Sequence, residues 1–312
     1  MKKPLIIIAG PTACGKTDSS ILLAKKINGE IISADSMQVY KYMDIGTAKI
    51  KEEEKQGIKH YLIDEFYPDE DFSIAIFKEM ATKYIEEIQN KGKIPILVGG
   101  TGFYINSVIY NNDFNKIDKD DSYRKELEQL AINKGKDFLH NMLKNVDEKS
   151  AEAIHQNNVK KVIRALEYYK LTGEKISEHN EREKQREKAY NTTFFILNMD
   201  REKLYNRINL RVDIMVKNGL VNEVKSLLEK GYKKNLVSMQ GIGYKEIIKY
   251  LEGEYSLDYG VEIIKRDTRH FAKRQLTWFK HQSQDAIWID VNNFNSPNDL
   301  ANYMANIFTD EK

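Results

Sequence analysis

The 312-residue chain is poor in the residues that mark several protein classes. Its single cysteine, Cys14, excludes a disulfide framework and any zinc site built from several cysteines, and it fits a reducing cytoplasm. No run approaches the ~18 apolar residues that a membrane-spanning helix needs. The apolar run Leu5–Ala9 near the start is too short for a signal peptide and fits a first strand instead. We therefore expect a cytoplasmic protein without a membrane segment.

The chain also has no large excess of positive or negative charge, because its formal net charge is only +2. If the protein binds nucleic acid, its basic groups must be concentrated locally. With only 5 prolines, the chain has little room for long disordered linkers. No exposed apolar helix face stands out, so we expect a monomer. The length allows one large domain with an insertion, or two domains.

Strand and helix patterns alternate over the first 110 residues. Leu5–Ala9, Glu30–Ala34 and Ile94–Val98 are short apolar runs, typical of parallel strands buried on both faces. Helical spacing lies between them at Lys16–Ile27 and Ser73–Gln89. This rhythm predicts a three-layer α/β domain with a parallel sheet.

From about Asn111 to Tyr190 the pattern shows helices and charge but no convincing strand. Strand patterns return at Phe194–Met199 and Ile287–Val291, separated by further helices. We therefore expect an α/β catalytic core formed by residues 1–111 and 191–312. An all-helical insertion domain at 112–190 would interrupt it.

A phosphate-binding loop follows the first strand. Residues 10–17 match the pattern G-x-x-x-x-G-K-[ST] between a buried strand and a helix, which predicts a P-loop NTPase-like core. Backbone N–H groups and the helix N-terminus would bind a diphosphate or nucleotide. Lys16 would add a positive charge, and the Thr17 hydroxyl would bind Mg²⁺. The predicted anion site is Gly10, Pro11, Thr12, Ala13, Cys14, Gly15, Lys16 and Thr17.

The loop alone does not select a reaction, because kinases, ATPases and GTPases share it. Two apolar segments end in an aspartate that could complete the site, at Asp35 and at Asp64. Asp35 follows a buried strand, at the edge where ligands bind in such sheets. It could act as a magnesium ligand, a general base or a ribose anchor, or simply cap a helix. Cys14 is interpreted as a small loop residue, with a redox role as the alternative.

A series of longer motifs resembles the tRNA dimethylallyltransferase family, in its bacterial form without a C-terminal zinc finger. The matching blocks run in family order and cover nearly the whole chain. They are Gly10–Thr17, Asp35–Tyr40, Met43–Lys49, Val98–Tyr104, Val162–Glu167, Arg211–Met215, Gly241–Glu246 and Ala272–Phe279. The sequence departs from the family at three places. Cys14 replaces a serine, Asn158-Val159 replaces an Asp-Pro pair, and Gly241 replaces an alanine. Lys160 or Lys161 stands where an arginine is usual.

The resemblance implies transfer of a dimethylallyl group from dimethylallyl diphosphate to the exocyclic amine of the adenosine 3′ of the anticodon. It implies Asp35 as the base that accepts the amine proton, with Thr101 as a second catalytic residue or a helix cap. Arg211 would reach the diphosphate, and Mg²⁺ would be the cofactor. The anticodon stem-loop would contact Asp35, Ser36, Met37, Gln38, Thr101, Arg124, Lys160, Lys161, Val162, Ile163, Arg164, Lys273 and Arg274.

Three alternatives stay open at this point. A P-loop small-molecule kinase explains the loop and the core, with the insertion as a lid. A nucleotide-switched RNA binder explains the loop and the basic segment Lys265–Lys280. That basic segment is also compatible with an ordinary solvated helix, with Trp278 and Phe279 in the core.

Overall fold

The computed structural model describes residues 2–111 and 121–310. Six strands form one parallel sheet in the order β3-β2-β4-β1-β5-β6. They are β1 (Pro4–Ala9), β2 (Gly29–Ala34), β3 (His60–Tyr61), β4 (Ile94–Gly99), β5 (Asn191–Asn198) and β6 (Ile287–Asp290). The expected α/β class with a parallel sheet is confirmed.

The helices are α1 (Lys16–Ile27), α2 (Ile74–Asn90), α3 (Gly102–Ile109), α4 (Asp121–Lys134), α5 (Lys136–Val146), α6 (Glu148–Ala153), α7 (Val159–Thr172), α8 (Ile176–Lys184), α9 (Arg201–Lys217), α10 (Leu220–Glu229), α11 (Tyr244–Leu251), α12 (Leu257–Gln282) and α13 (Pro297–Asp310). By contacts the chain divides into one unit of residues 1–109 with 188–312 and a second unit of residues 110–187. Residues 112–120, where the insertion is predicted to begin, lie outside the described residues.

The first unit buries both faces of its sheet. Successive side chains of a strand point to opposite faces, and β1 has no exposed residue from Leu5 to Ala9. Ile6 and Ile8 share a core with apolar residues of α1 and α13. Ile7 alternates with them and is equally buried, and α2 packs along β2 and β4. The sheet is therefore the middle of three layers. Among the residues described, no helix has the combined length and apolar character of a membrane span.

The second unit has a hydrophobic core of its own between α4, α5, α6 and α7. Leu127, Leu139, Leu143 and Leu166 are buried at its centre. The buried Asp147 carboxylate caps α6 by accepting from the Ser150 backbone N–H, and it also accepts from the backbone N–H and hydroxyl of Ser177 at α8. Burial raises the pKa of Asp147, and the hydrogen bonds from the two serines outweigh burial and lower it. The carboxylate therefore ties two short helices together.

A buried carboxylate supports the amino end of β2. Glu30 accepts from Lys93 Nζ at 2.7 Å and from the Tyr61 hydroxyl at 2.7 Å. Burial raises the pKa of Glu30, but the hydrogen bonds from Lys93 and Tyr61 more than offset it, and the pKa ends below its ordinary value. A lowered folded-state pKa means that the ionised form stabilises the fold. This contribution is present above about pH 4.5 and is lost as the pH falls through the lower folded-state pKa.

We predict that Glu30→Gln lowers the free energy of unfolding at pH 7 by about 1–3 kcal/mol, the range for a hydrogen bond to a charged group. The difference from the parent protein should shrink as the pH falls from 7 to 3, because protonation removes the same charge. Urea unfolding over this pH range measures it. Glu79→Gln, the same substitution at an exposed position of α2, is the control. A difference that stays constant with pH would contradict the assignment.

Candidate active site

The segment between β1 and α1 has the backbone geometry of an anion-binding loop. Gly10 and Gly15 have φ angles of +148° and +94°, in the region that favours glycine. A Cβ at Gly10 would lie 2.4 Å from the Leu197 carbonyl oxygen, so the loop fits against β5 only with glycine there. Ala13 also has a positive φ, of 64°. The loop leads directly into α1, whose first N–H groups point out of its N-terminus.

The charged and hydroxyl groups of this loop lie at its inner side. Lys16 Nζ donates to the carbonyl oxygens of Gly10 at 3.0 Å and Pro11 at 2.6 Å. Thr17 and Lys16 line a small cavity of about 70 Å³ behind the loop. Cys14 is 1% exposed and packs in the hydrophobic core below the sheet edge. Its position supports the interpretation as a small packing residue.

Asp35 follows β2 at the same edge of the sheet. Its Oδ1 accepts from the backbone N–H of Met37 at 2.8 Å and of Gln38 at 3.3 Å. Within residues 2–111 and 121–310 its Oδ2 has no hydrogen-bond partner. The other candidate, Asp64, is instead paired with Lys49 at 2.5 Å. Asp35 is therefore the aspartate that faces the phosphate-binding loop.

A cavity of about 360 Å³ brings predicted site residues from four segments together. Thr12, Asp35, Thr101 and Arg211 line its polar side. Thr101 lies just before α3, and its carbonyl accepts from Tyr104 and Ile105. Its hydroxyl makes no hydrogen bond in the described part of the chain, so a capping role for the side chain is not seen. The apolar side is lined by Ile208, Val212, Met215, Ile242, Ile264 and Phe271.

Arg211 reaches this cavity from α9. Its Nη1 donates to Thr12 Oγ1 and its Nη2 to the Ala48 carbonyl, both at 3.4 Å. Burial lowers the pKa of the Arg211 guanidinium, whereas the negative charge of Asp35 raises it. Burial also raises the pKa of the neighbouring Tyr104 to about 12, with Asp35 adding to the shift. An arginine stays charged even so, so Arg211 brings a positive charge to the cavity beside the Asp35 carboxylate.

The smaller cavity offers oxygen atoms that could bind a magnesium ion. Thr17 and Ser33 supply hydroxyl oxygens there, next to Lys16. No cluster of three or more acidic, histidine or cysteine side chains exists among the residues described. Mg²⁺ needs no such cluster, because it binds one or two protein oxygens and completes its shell with phosphate and water. Gln38 also lines this cavity, and its amide donates to the carbonyls of Thr47 and Ala48 at 3.3 and 3.5 Å.

Gln275 of α12 connects the phosphate-binding loop to the segment after β4 by hydrogen bonds. Its Oε1 accepts from the Thr12 backbone N–H, and its Nε2 donates to the Gly100 carbonyl, both at 3.0 Å. A Cβ at Gly100 would lie 2.1 Å from Gln275 Nε2, and one at Gly102 would lie 2.1 Å from the Trp278 ring. The two glycines are therefore required by the close approach of α12 to the loop after β4.

Comparison with known proteins matches this arrangement to one family. The model of the family described as "IPP transferase" matches residues 38–282. The chain belongs to the IPP transferase family. The tRNA dimethylallyltransferase of Lachnoclostridium phytofermentans is 58% identical over 310 residues, which cover 99% of each chain.

Solved structures of the family have the same fold. The full-length tRNA isopentenylpyrophosphate transferase of Bacillus halodurans has a TM-score of 0.74 and 44% identity, covering 99% of this chain and 96% of its own. A eukaryotic dimethylallyltransferase, described as acting on tRNA, has a TM-score of 0.81 and 32% identity, covering 99% of this chain and 77% of its own. The P-loop NTPase-like fold expected from the loop motif is thereby confirmed.

In this IPP transferase family member, part of the predicted RNA-binding set lies on α12. Lys273 and Arg274 line an open groove of about 700 Å³ together with the half-buried Trp278. Arg274 also lines the 360 Å³ cavity, so its side chain borders both. Ser36 and Met37 line that cavity as well. Phe279 is instead fully buried.

Other basic residues of the segment 265–280 are engaged within the protein. Lys265 pairs with Asp213 at 2.8 Å, and Arg266 pairs with Asp267 at 2.8 Å. Arg269 donates to Asn209 Oδ1. The basic surface that α12 offers is therefore smaller than its sequence indicates.

The remaining predicted RNA contacts belong to the second unit. Lys160, Lys161 and Arg164 are exposed on α7. Val162 and Ile163 are only 1% and 4% exposed, because their side chains face the core of that unit. Their side chains therefore face away from any tRNA surface, and the predicted tRNA contact of these two residues stays a prediction.

Arg124, a further predicted contact of the second unit, forms a two-pronged ion pair with the buried Glu167. This gives Arg124 a structural partner on α7. Its predicted RNA contact stays a prediction.

We predict that Gln275→Ala weakens the binding of Mg²⁺-pyrophosphate and lowers the free energy of unfolding by about 1–3 kcal/mol, since Thr12 N–H and Gly100 C=O lose their partner. Isothermal titration with pyrophosphate and urea unfolding measure the two effects. Gln282→Ala, an exposed glutamine at the end of the same helix, is the matched control. Pyrophosphate affinity equal to that of the parent would show that Gln275 does not hold the loop.

Proposed function

We propose that this protein transfers a dimethylallyl group from dimethylallyl diphosphate to the exocyclic amino nitrogen of the adenosine 3′ of the anticodon in tRNA. The observation that carries the proposal is the 360 Å³ cavity, where the phosphate-binding loop, Arg211 and Asp35 meet an apolar wall. A phosphate, a carbon chain and an amine would each find a matching surface there. The reaction releases diphosphate.

The diphosphate end of the donor fits the loop. As the carbon–oxygen bond breaks, its electron pair stays on the diphosphate, which gains negative charge. Backbone N–H groups at the start of α1, Lys16 and the half-buried Arg211 can stabilise that charge. Mg²⁺ held at Thr17 would neutralise part of the diphosphate charge. The phosphate-binding loop thus serves an alkyl transfer instead of a phosphoryl transfer.

The dimethylallyl end fits the apolar side of the cavity. Val212, Met215 and Ile264 belong to a hydrophobic core and leave one face to the cavity. Such a wall accepts a branched five-carbon group and excludes water from the reacting carbon. Exclusion of water matters because hydrolysis of the donor competes with transfer.

The acceptor amine is a weak nucleophile, because its lone pair is delocalised into the adenine ring. A new carbon–nitrogen bond forms as the carbon–oxygen bond breaks, and the amine must lose one proton. Asp35 lines the cavity and its Oδ2 has no competing hydrogen bond from the described residues, so it can accept that proton. Thr101 lines the same cavity, and its hydroxyl can hydrogen-bond the diphosphate or the amine.

The adenosine must leave its stack to enter a cavity of this kind. The groove on α12 offers Lys273 and Arg274 to phosphates and Trp278 to a base. Lys160, Lys161 and Arg164 offer a second basic surface on α7. One chain supplies every group named for the reaction, so a monomer suffices, and a tRNA substrate favours a cytoplasmic enzyme.

A transfer assay tests the proposal directly. The protein is incubated with unmodified tRNA, dimethylallyl diphosphate labelled in the carbon chain, and Mg²⁺, without any nucleoside triphosphate. We expect label in tRNA and stoichiometric release of diphosphate. Phosphoryl transfer from ATP to a small molecule, with no label in tRNA, would support a kinase and contradict the proposal.

We predict that Asp35→Asn lowers kcat for transfer by about 10²–10⁴-fold, the usual contribution of a general base. Asparagine keeps an oxygen for the Met37 and Gln38 N–H groups, so the turn should persist. Affinity for Mg²⁺-pyrophosphate should change less than threefold, as isothermal titration can show. Asp18→Asn, an exposed change of equal charge on α1, is the control. Near-normal turnover of Asp35→Asn would remove Asp35 from the role of base.

A further inference from the structure

One wall of the 360 Å³ cavity is formed by a short segment of uncharged residues. Gly46, Thr47 and Ala48 line the cavity there. The Ala48 carbonyl accepts from Arg211 Nη2, so this segment sets one of the two hydrogen bonds that orient the guanidinium. The position of Arg211 therefore depends on what holds residues 44–48 in place.

Glu223 of α10 holds this segment from outside the cavity. Its Oε2 accepts from the backbone N–H groups of Asp44 at 2.9 Å and Ile45 at 2.7 Å. Its Oε1 accepts from the Gly46 N–H at 3.0 Å. Three successive N–H groups thus converge on one carboxylate, an arrangement that matches the anion-binding backbone nests of other proteins.

Tyr244 completes the arrangement from the side of the cavity. Its hydroxyl donates to Glu223 Oε1 at 2.7 Å, and its fully buried ring lines the cavity. Burial raises the pKa of Tyr244 well above its ordinary value, with the Glu223 charge adding to the effect, so the hydroxyl remains a donor. A Cβ at Gly46 would lie 2.5 Å from the ring, which explains the glycine at this position.

Lys49 anchors the far end of the same segment. Its ammonium donates to the Tyr40 carbonyl at 2.8 Å and pairs with Asp44 and Asp64, each at 2.5 Å. Its side chain is only 4% exposed. With Glu223 on one side and Lys49 on the other, residues 44–48 have little freedom to move.

We infer that Glu223 is a positioning residue for the transfer reaction. It touches neither the cavity nor the predicted donor, and acts by fixing residues 44–46 so that the Ala48 carbonyl orients Arg211 towards the diphosphate. This inference rests on the proposed function, since it assigns Arg211 to the leaving group. Misplacement by about 1 Å of a group that orients a substrate can cost about a hundredfold in rate.

Glu223→Gln tests this role with little change in shape. An amide has one good acceptor oxygen, and its NH₂ would face backbone N–H donors. We expect kcat/KM for dimethylallyl diphosphate to fall about a hundredfold and affinity for Mg²⁺-pyrophosphate to fall about tenfold. Binding of tRNA should change less than threefold. Tyr244→Phe removes one of the four hydrogen-bond partners of Glu223 and keeps the ring. It should lower kcat/KM and pyrophosphate affinity by less than Glu223→Gln does.

A double-mutant cycle with Arg211→Gln separates positioning from general loss of structure. In the Arg211→Gln background, Glu223→Gln should cause less than a threefold further loss of pyrophosphate affinity. A full further tenfold loss would overturn the inference, as would unchanged affinity in the single variant. Glu229→Gln, an exposed change on the same helix, is the control. If the parent protein transferred no label to tRNA, the proposed function would fail, while the pyrophosphate cycle would still decide the role of Glu223.

Discussion

Three adjacent parallel strands end at one edge of the sheet, and the chain continues from each of them into a segment with a reactive group. The phosphate-binding loop follows β1, Asp35 follows β2 and Thr101 follows β4. Because the strands run in the same direction, the anion site, the carboxylate and the hydroxyl must meet. Arg211 from α9 and Gln275 from α12 then close around this edge.

The sequence predicted the structure best where a residue pattern is compatible with only one type of secondary structure. Apolar runs predicted most of the strands, because a parallel strand covered on both faces consists mainly of apolar residues. The helix bounds Lys16–Ile27 were predicted at the residues where the structure has them. The two-residue strand β3 and the helix α13 were not predicted as elements. Apolar residues spaced at Leu300, Met304 and Phe308 were an available signal for α13.

The site was predictable in its loop and its aspartate, but not in what holds them. Gln275 and Glu223 bind backbone N–H and C=O groups, and a backbone partner leaves no mark on the sequence. The motif Val162–Glu167 likewise did not show that the side chains of Val162 and Ile163 face inward to the core of the second unit. The family resemblance identified Arg211, whereas its carbonyl partner at Ala48 could come only from the structure.

The central claim is that one cavity holds the departing diphosphate against the loop while Asp35 takes the proton of the attacking amine. The most direct measurement is a crystal structure with Mg²⁺, a non-hydrolysable thio-analogue of dimethylallyl diphosphate and an anticodon stem-loop. We expect the diphosphate on the backbone of residues 10–17 and the adenine amine within about 3 Å of Asp35 Oδ2. A diphosphate bound elsewhere, or an adenine still stacked in the loop away from Asp35, would contradict the account.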